Sequence, residues 1–306
     1  MPQATGKKAP PRLRPLKGVR ILSLALNLPG PAALMRCKAM GASCVKLEPP
    51  APTGAATGVT GDPMSQYAPA AYADMHRGIR TIAADLKTPA GQTALHRELA
   101  KTDILITSFR PSAIEKLGLG WKQLHKRYPA LSQIAIVGSP GARAEEPGHD
   151  LTYLAENDLV TGLDLPATLY ADMGGSLMTS EAALQATLSQ RATGKGVLVE
   201  IALSDAARYV ALPRHWGLTS PEGFVGGAHA GYGVYACKDG RVAVAALEPH
   251  FAKRLCEAAG IGETGARTMS APATKALIAQ WLSGKTRKAL DALAQEKDIP
   301  LHTLAR

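Results

Sequence analysis

The sequence predicts an α/β protein: a Rossmann-like, doubly wound parallel sheet forms a large domain, and a smaller α+β domain follows. Three observations predict this. Apolar runs of strand length, at residues 19–26, 44–47, 81–86, 103–107 and 131–137, alternate with helical patterns. Such alternation is the pattern of parallel strands joined by crossover helices. A different grammar begins late in the chain, where residues 233–237 and 241–246 flank Lys238-Asp239-Gly240 and read as a hairpin. The length of 306 residues also suffices for two domains, each with its own core.

The elements follow in order. Residues 19–26 form the first buried strand. Pro29-Gly30-Pro31 turns the chain into a short helix over residues 32–40, ended by Gly41. Residues 44–47 make the second strand, closed by Glu48-Pro49-Pro50, and residues 51–63 are a loop rich in Gly, Pro, Thr and Ala. The strand at 81–86 leads to Thr88-Pro89, a helix start with proline in its first turn. The strand at 103–107 is followed by Phe109-Arg110-Pro111, and two short helices flank Gly118-Leu119-Gly120. After the strand at 131–137 comes a helical run from Leu177, then a strand at 197–203. Residues 213–233 read as a linker, and helical patterns follow the hairpin to the end. The expected division is a basic, proline-bearing arm at 1–15, a large domain at 16–212 and a small domain at 213–306.

Composition narrows the function. Hydrophobic residues make up 46% and charged residues 20%, the balance of a soluble globular protein. No apolar run reaches the length of a membrane span. The four cysteines show no CxxC pair and no zinc spacing, so they read as reduced, mostly buried thiols of a cytoplasmic protein, with no metal. The net charge is +10, and no acidic residue precedes Glu48. A positive balance suits an anionic small molecule or a nucleic acid. Aromatic content of 5%, without an RNA-binding signature, argues against nucleic acid. NAD is also disfavoured: Glu48 ends the second strand where a ribose-binding acid belongs, yet the first turn is Pro29-Gly30-Pro31 in place of a glycine-rich fingerprint.

The stretch with most chemical content is Leu169-Tyr170-Ala171-Asp172-Met173-Gly174-Gly175-Ser176. It predicts Asp172 in a tight turn before a helix in which Leu177, Met178, Ala182, Ala183, Ala186 and Leu188 recur at helical spacing. A carboxylate beside free helix-start N–H groups suits acyl chemistry, as nucleophile or base with an oxyanion site. A plain helix cap explains the same eight residues more simply.

Further stretches change the balance. "PLKGVRILSLALNLPGPAALMRCKAMGASCVKLEPP", "HRGIRTIAADLKTPAG", "DILITSFRPSAIEKLGLG", "GHDLTYLA", "YADMGGSLMTSEAALQATLSQRATGKG" and "DGRVAVAALEPHF" stand in the order in which similar stretches occur in the family III CoA-transferases, the CaiB/BaiF superfamily. Over residues 15–305 the chain resembles that family, and in motif it resembles most the α-methylacyl-CoA racemase branch. The resemblance implies an enzyme acting on an acyl-CoA substrate, with coenzyme A carried as the thioester. It implies Asp172 as the residue that transferases acylate. It also implies His149 and Asp172 as the racemase pair, with Glu248 orienting the histidine. A thioester acidifies its α-carbon, a histidine titrates near neutrality, and burial tunes an aspartate upward, so the pair suits proton transfer. Backbone N–H groups near Gly174 and Gly175 are expected to hold the enolate oxygen.

Arg77, Arg80 and Arg110 lie in stretches where the family binds CoA, and Phe109 with Arg110 is expected to stack adenine and grip phosphate. Arg36 and Lys46 are further cations of the same kind. The resemblance implies a homodimer of interlocked subunits. The chain stops at Arg306, where members usually continue with a segment returning to the large domain, so an incomplete interlock is expected. The loop His76-Arg77-Gly78-Ile79 departs from the family's Asn-Arg-Gly-Lys, and the span 157–166 is short. Three readings follow: racemase-like α-proton transfer on a 2-methylacyl-CoA, CoA transfer between carboxylic acids through acylated Asp172, and a non-catalytic CoA-binding paralogue.

Overall fold

A computed structural model describes residues 13–262 and 265–305, so most of the basic arm lies outside the described residues. The chain forms two compact units, one up to Val210 and one from Ala211.

In the first unit six strands form one parallel sheet: β1 Arg20–Ser23, β2 Ser43–Glu48, β3 Arg80–Ala83, β4 Ile104–Thr107, β5 Ser132–Val137 and β6 Leu198–Ala202. Their order is β3-β2-β1-β4-β5-β6, a doubly wound arrangement whose connections diverge between β1 and β4. The register explains the sheet's two faces. Ile21 pairs with Ile104 and Leu22 with Leu105. Because strand side chains alternate, Ile21, Ile104, Ile106, Ile134 and Ile136 bury on one face, against Leu34, Cys37, Ala182, Ala183 and Ala186. Leu22 and Leu105 bury on the other, against Leu95, Leu99, Ile114 and Leu124. Both faces are thus covered by helices, which is why these strands read as unbroken apolar runs.

Two helices differ from expectation. The first spans Pro29–Ala39, so Pro29-Gly30-Pro31 is its opening turn and not a separate bend. Proline fits there because the N–H it lacks has no intrahelical partner at that position. The second, Tyr170–Thr193, starts before Asp172 and ends on Gly194 in the left-handed conformation, φ 72°. Its buried face consists of small residues, among them Gly175, Ser176, Thr179, Ala182, Ala183 and Ala186. Leu177 and Leu188, expected on that face, are 50% and 67% exposed.

The second unit has an antiparallel sheet of β7 Tyr232–Cys237, β8 Gly240–Ala245 and β9 Leu301–Leu304, in that order. Val242, Val244, Leu255, Ile278, Leu282 and Leu290 form its core with helices Pro249–Ala259, Pro272–Ser283 and Arg287–Lys297. β9 replaces the helical ending expected from sequence, and the stretch read as a linker carries the short helix Leu212–His215. All four cysteines are free and buried. No described helix is long and apolar enough to cross a membrane.

Candidate active site

The carboxyl ends of β1, β4 and β5 meet at a cavity of about 200 Å³. Parallel doubly wound sheets bind ligands at this place, where the connections part to opposite sides. The loop after β1 contributes Leu26 and Asn27, the helix that follows contributes Pro29, and the loop after β4 contributes Ser108, Phe109 and Arg110. The two loops are tied together, since Ser108 Oγ accepts the Leu26 N–H at 3.3 Å. Gly138 after β5, His149, Tyr153 and Asp172 complete the polar side.

Asp172 occupies the third position of the helix Tyr170–Thr193. Its own N–H donates to Asp150 Oδ1 at 3.0 Å, so a buried carboxylate caps this helix from a neighbouring segment. Asp150 is only 5% exposed. Burial, then the negative charge of Asp150, push the Asp172 carboxyl up from 3.8 to about 6, against a smaller opposing effect of His149. His149 stands just before the helix Asp150–Glu156, and its backbone is clamped: Thr152 Oγ1 accepts the His149 N–H at 3.1 Å and donates to the His149 carbonyl at 2.8 Å. The imidazole is exposed to the cavity side of this turn. The Tyr153 phenol is raised by burial first and by the charge of Asp172 second, while Arg110 lowers it. Tyr153 thus feels both Asp172 and Arg110. Arg110 itself is exposed and forms no ion pair among the described residues.

The structure therefore brings together His149, Asp172, Phe109 and Arg110. It does not bring in the other cations. Arg77 pairs with Asp74 at 2.6 Å, and Arg80, at the amino end of β3, pairs with Glu98 at 2.7 Å. Lys46 is fully buried between Asp62 and Glu48, and Arg36 donates to Ser180 Oγ at 3.1 Å. Glu248 lies on the second unit, exposed at the start of the helix Pro249–Ala259.

The expectation for Gly174 and Gly175 is corrected. Both lie inside the helix, beyond its open first turn, where an N–H group is spent on the carbonyl four residues earlier. They are small because another helix, Leu203–Val210, packs there. A Cβ on Gly175 stands 2.3 Å from Leu203 Cδ2, and one on Gly174 stands 3.3 Å from Ala206 Cβ. Sequence reasoning gave Asp150, Tyr153 and Asn27 no role in the site. The first two were available in "GHDLTYLA", where only the histidine stood out.

A model of the CoA-transferase family III matches residues 16–306. The chain belongs to CoA-transferase family III. Members similar to it carry two kinds of name. Alpha-methylacyl-CoA racemase of Homo sapiens is 27% identical over 264 residues, 80% of this chain and 65% of that protein. Succinyl-CoA--D-citramalate CoA-transferase of Chloroflexus aurantiacus is 31% identical over 206 residues, 62% of this chain and 49% of that protein. The chain spans between about half and just under two thirds of the length of such curated relatives. The fold is that of solved family members: a CAIB/BAIF family protein from Brucella suis superposes with a TM-score of 0.79 at 24% identity, covering 96% of this chain and 85% of that one.

Proposed function

We propose that this family III protein acts on an acyl-CoA and that Asp172 and His149 move the α-proton of a 2-methylacyl thioester. The observation that supports this reading most is the pairing in one cavity of an exposed histidine with a carboxyl raised to about 6. A base whose proton affinity approaches neutrality is better matched to a weakly acidic carbon than an ordinary aspartate. In the reaction, Asp172 as carboxylate takes the α-proton, and the electron pair moves onto the thioester oxygen. Imidazolium His149 then returns a proton to the same carbon from the other face. The reverse direction exchanges the two roles, and no oxidation occurs. Arg110, with Phe109 beside it, is the cation available for a CoA phosphate. The part that the family resemblance implies for Glu248, orienting a histidine, stays within this proposal.

Incubation with a 2-methylacyl-CoA in D₂O tests the reading. Deuterium enters the α-carbon at a rate that Asp172→Asn and His149→Ala both suppress. No exchange across a panel of 2-methylacyl thioesters overturns it.

The transferase reading draws on the same carboxylate and on the transferases among the relatives. There the Asp172 oxygen attacks the thioester carbonyl, the carbon–sulfur bond breaks and the CoA thiolate leaves an aspartyl anhydride. Hydroxylamine marks Asp172 in the presence of an acyl-CoA donor under this reading and leaves it unmodified under the first. Binding of CoA without either reaction identifies the non-catalytic alternative.

A further inference from the structure

Proton abstraction from the α-carbon leaves negative charge on the thioester oxygen, and that oxygen needs a hydrogen-bond donor placed in advance. The N–H groups of Gly174 and Gly175 lie in the helix interior, and the Asp172 N–H is held by Asp150. Asn27 offers another donor. It lines the same cavity as Asp172 and His149. Its φ of 62° places it in the left-handed region, which asparagine tolerates better than most residues but which still marks a conformation imposed from outside.

What imposes it lies in the interior. Asp62 Oδ1 accepts the Asn27 N–H at 3.2 Å and the Met64 N–H at 3.0 Å. The other Asp62 oxygen accepts from Lys46 Nζ, and both residues are fully buried. Lys46 also meets Glu48 at 3.2 Å, and Glu48 accepts the Tyr72 hydroxyl at 3.1 Å. Burying three charges is costly unless each is paired and bonded, and this cluster pairs all three. Through Asp62 it reaches the cavity at one residue, Asn27. The Asn27 carboxamide has a partner as well: the exposed Tyr67 donates its hydroxyl to Asn27 Oδ1 at 3.4 Å. Burial and the charges of Asp62 and Asp172 raise the Tyr67 phenol, so it keeps the proton it donates. With the oxygen accepting from Tyr67, the amide nitrogen is left with hydrogens to give.

We propose that Asn27 is a substrate-binding residue whose carboxamide N–H holds the acyl thioester oxygen, with Asp62 and Lys46 positioning it; the proposal rests on the acyl-CoA reading above.

Isotope-edited infrared spectroscopy of bound [1-¹³C]acetyl-CoA tests it. Asn27→Gly suits a φ of 62° without strain and removes only the carboxamide. The expected result is a thioester carbonyl band at lower frequency in the wild type than in Asn27→Gly, with CoA affinity unchanged. In the D₂O assay Asn27→Gly lowers kcat about a hundredfold with little change in KM, as the loss of a donor to a developing oxyanion does. An identical carbonyl band in the two proteins overturns the assignment of Asn27 and leaves the acyl-CoA reading standing. Failure of the wild type to bind acetyl-CoA overturns that reading, and this proposal with it.

Discussion

Replacing Asp172 by asparagine separates the cost of the site from its use. The substitution keeps the shape, replaces one acceptor oxygen by an amide donor and removes the charge. In the folded protein the carboxyl is raised from 3.8 to about 6, by burial and then by Asp150. The folded chain therefore binds this proton more tightly than the unfolded chain, and the group's contribution to stability falls as pH rises through the interval from about 4 to about 6. At about 1.4 kcal/mol for each tenfold change in proton affinity, the full effect above pH 7 is at most about 3 kcal/mol. Asp172→Asn should accordingly be more stable than the wild type at pH 8 by about 2–3 kcal/mol, with the difference shrinking towards zero as pH falls to 4. Urea unfolding of both proteins across that range measures it, and the same preparations should lose at least about a hundredfold in α-proton exchange. A stability difference that does not change with pH, or an asparagine variant less stable at pH 8, refutes the argument that this carboxylate is held ionised at a cost.

Asp150→Asn removes the like charge beside Asp172 while leaving an oxygen to accept its N–H, so the acid limb of the pH–rate profile should move to lower pH; an unmoved limb means that Asp150 only caps the helix. Arg110→Ala should weaken CoA binding about ten- to hundredfold, the worth of a charge-assisted contact to phosphate, with Arg110→Lys recovering only part of it, as calorimetry will show. Lys46→Met leaves Asp62 and Glu48 buried without their cation and should cost about 3–5 kcal/mol in urea unfolding, whatever its effect on binding.

The parallel sheet was legible in the sequence because its strands are buried on both faces. Ile104, Leu105 and Ile106 need no alternation with polar residues, so they stand out as a continuous apolar run. β9 was not legible, for the opposite reason. Leu301–Leu304 is four residues long and finds its partner in β8, Leu301 opposite Val244, so nothing nearby marks it as a strand. The long helix was recognised by its apolar periodicity, yet the face that packs is the one with glycine, serine, threonine and alanine. Hydrophobicity locates a helix, whereas close approach of backbones selects small residues: the alanines of the periodic pattern, Ala182, Ala183 and Ala186, lie on the packed face of Tyr170–Thr193, while its leucines, Leu177 and Leu188, lie outside it.

The site was legible where residue type alone decides chemistry, and illegible where pairing decides it. Lys46, Arg80 and Arg110 are equivalent in the sequence: each is a cation on or beside a strand. The fold distinguishes them by supplying carboxylates from afar, Asp62 from the glycine- and proline-rich loop to Lys46 and Glu98 from a helix to Arg80, and supplying none to Arg110 among the described residues. A buried cation with two carboxylates has no capacity left for a phosphate; an exposed one at the carboxyl end of β4 keeps all five of its N–H groups for one. The same reasoning explains why Asn27 received no role from the sequence. Its side chain is unremarkable in type, and the hydrogen bonds that tie it down, from its backbone to Asp62, thirty-five positions along the chain, and from Tyr67 to its carboxamide, come from segments far away in sequence.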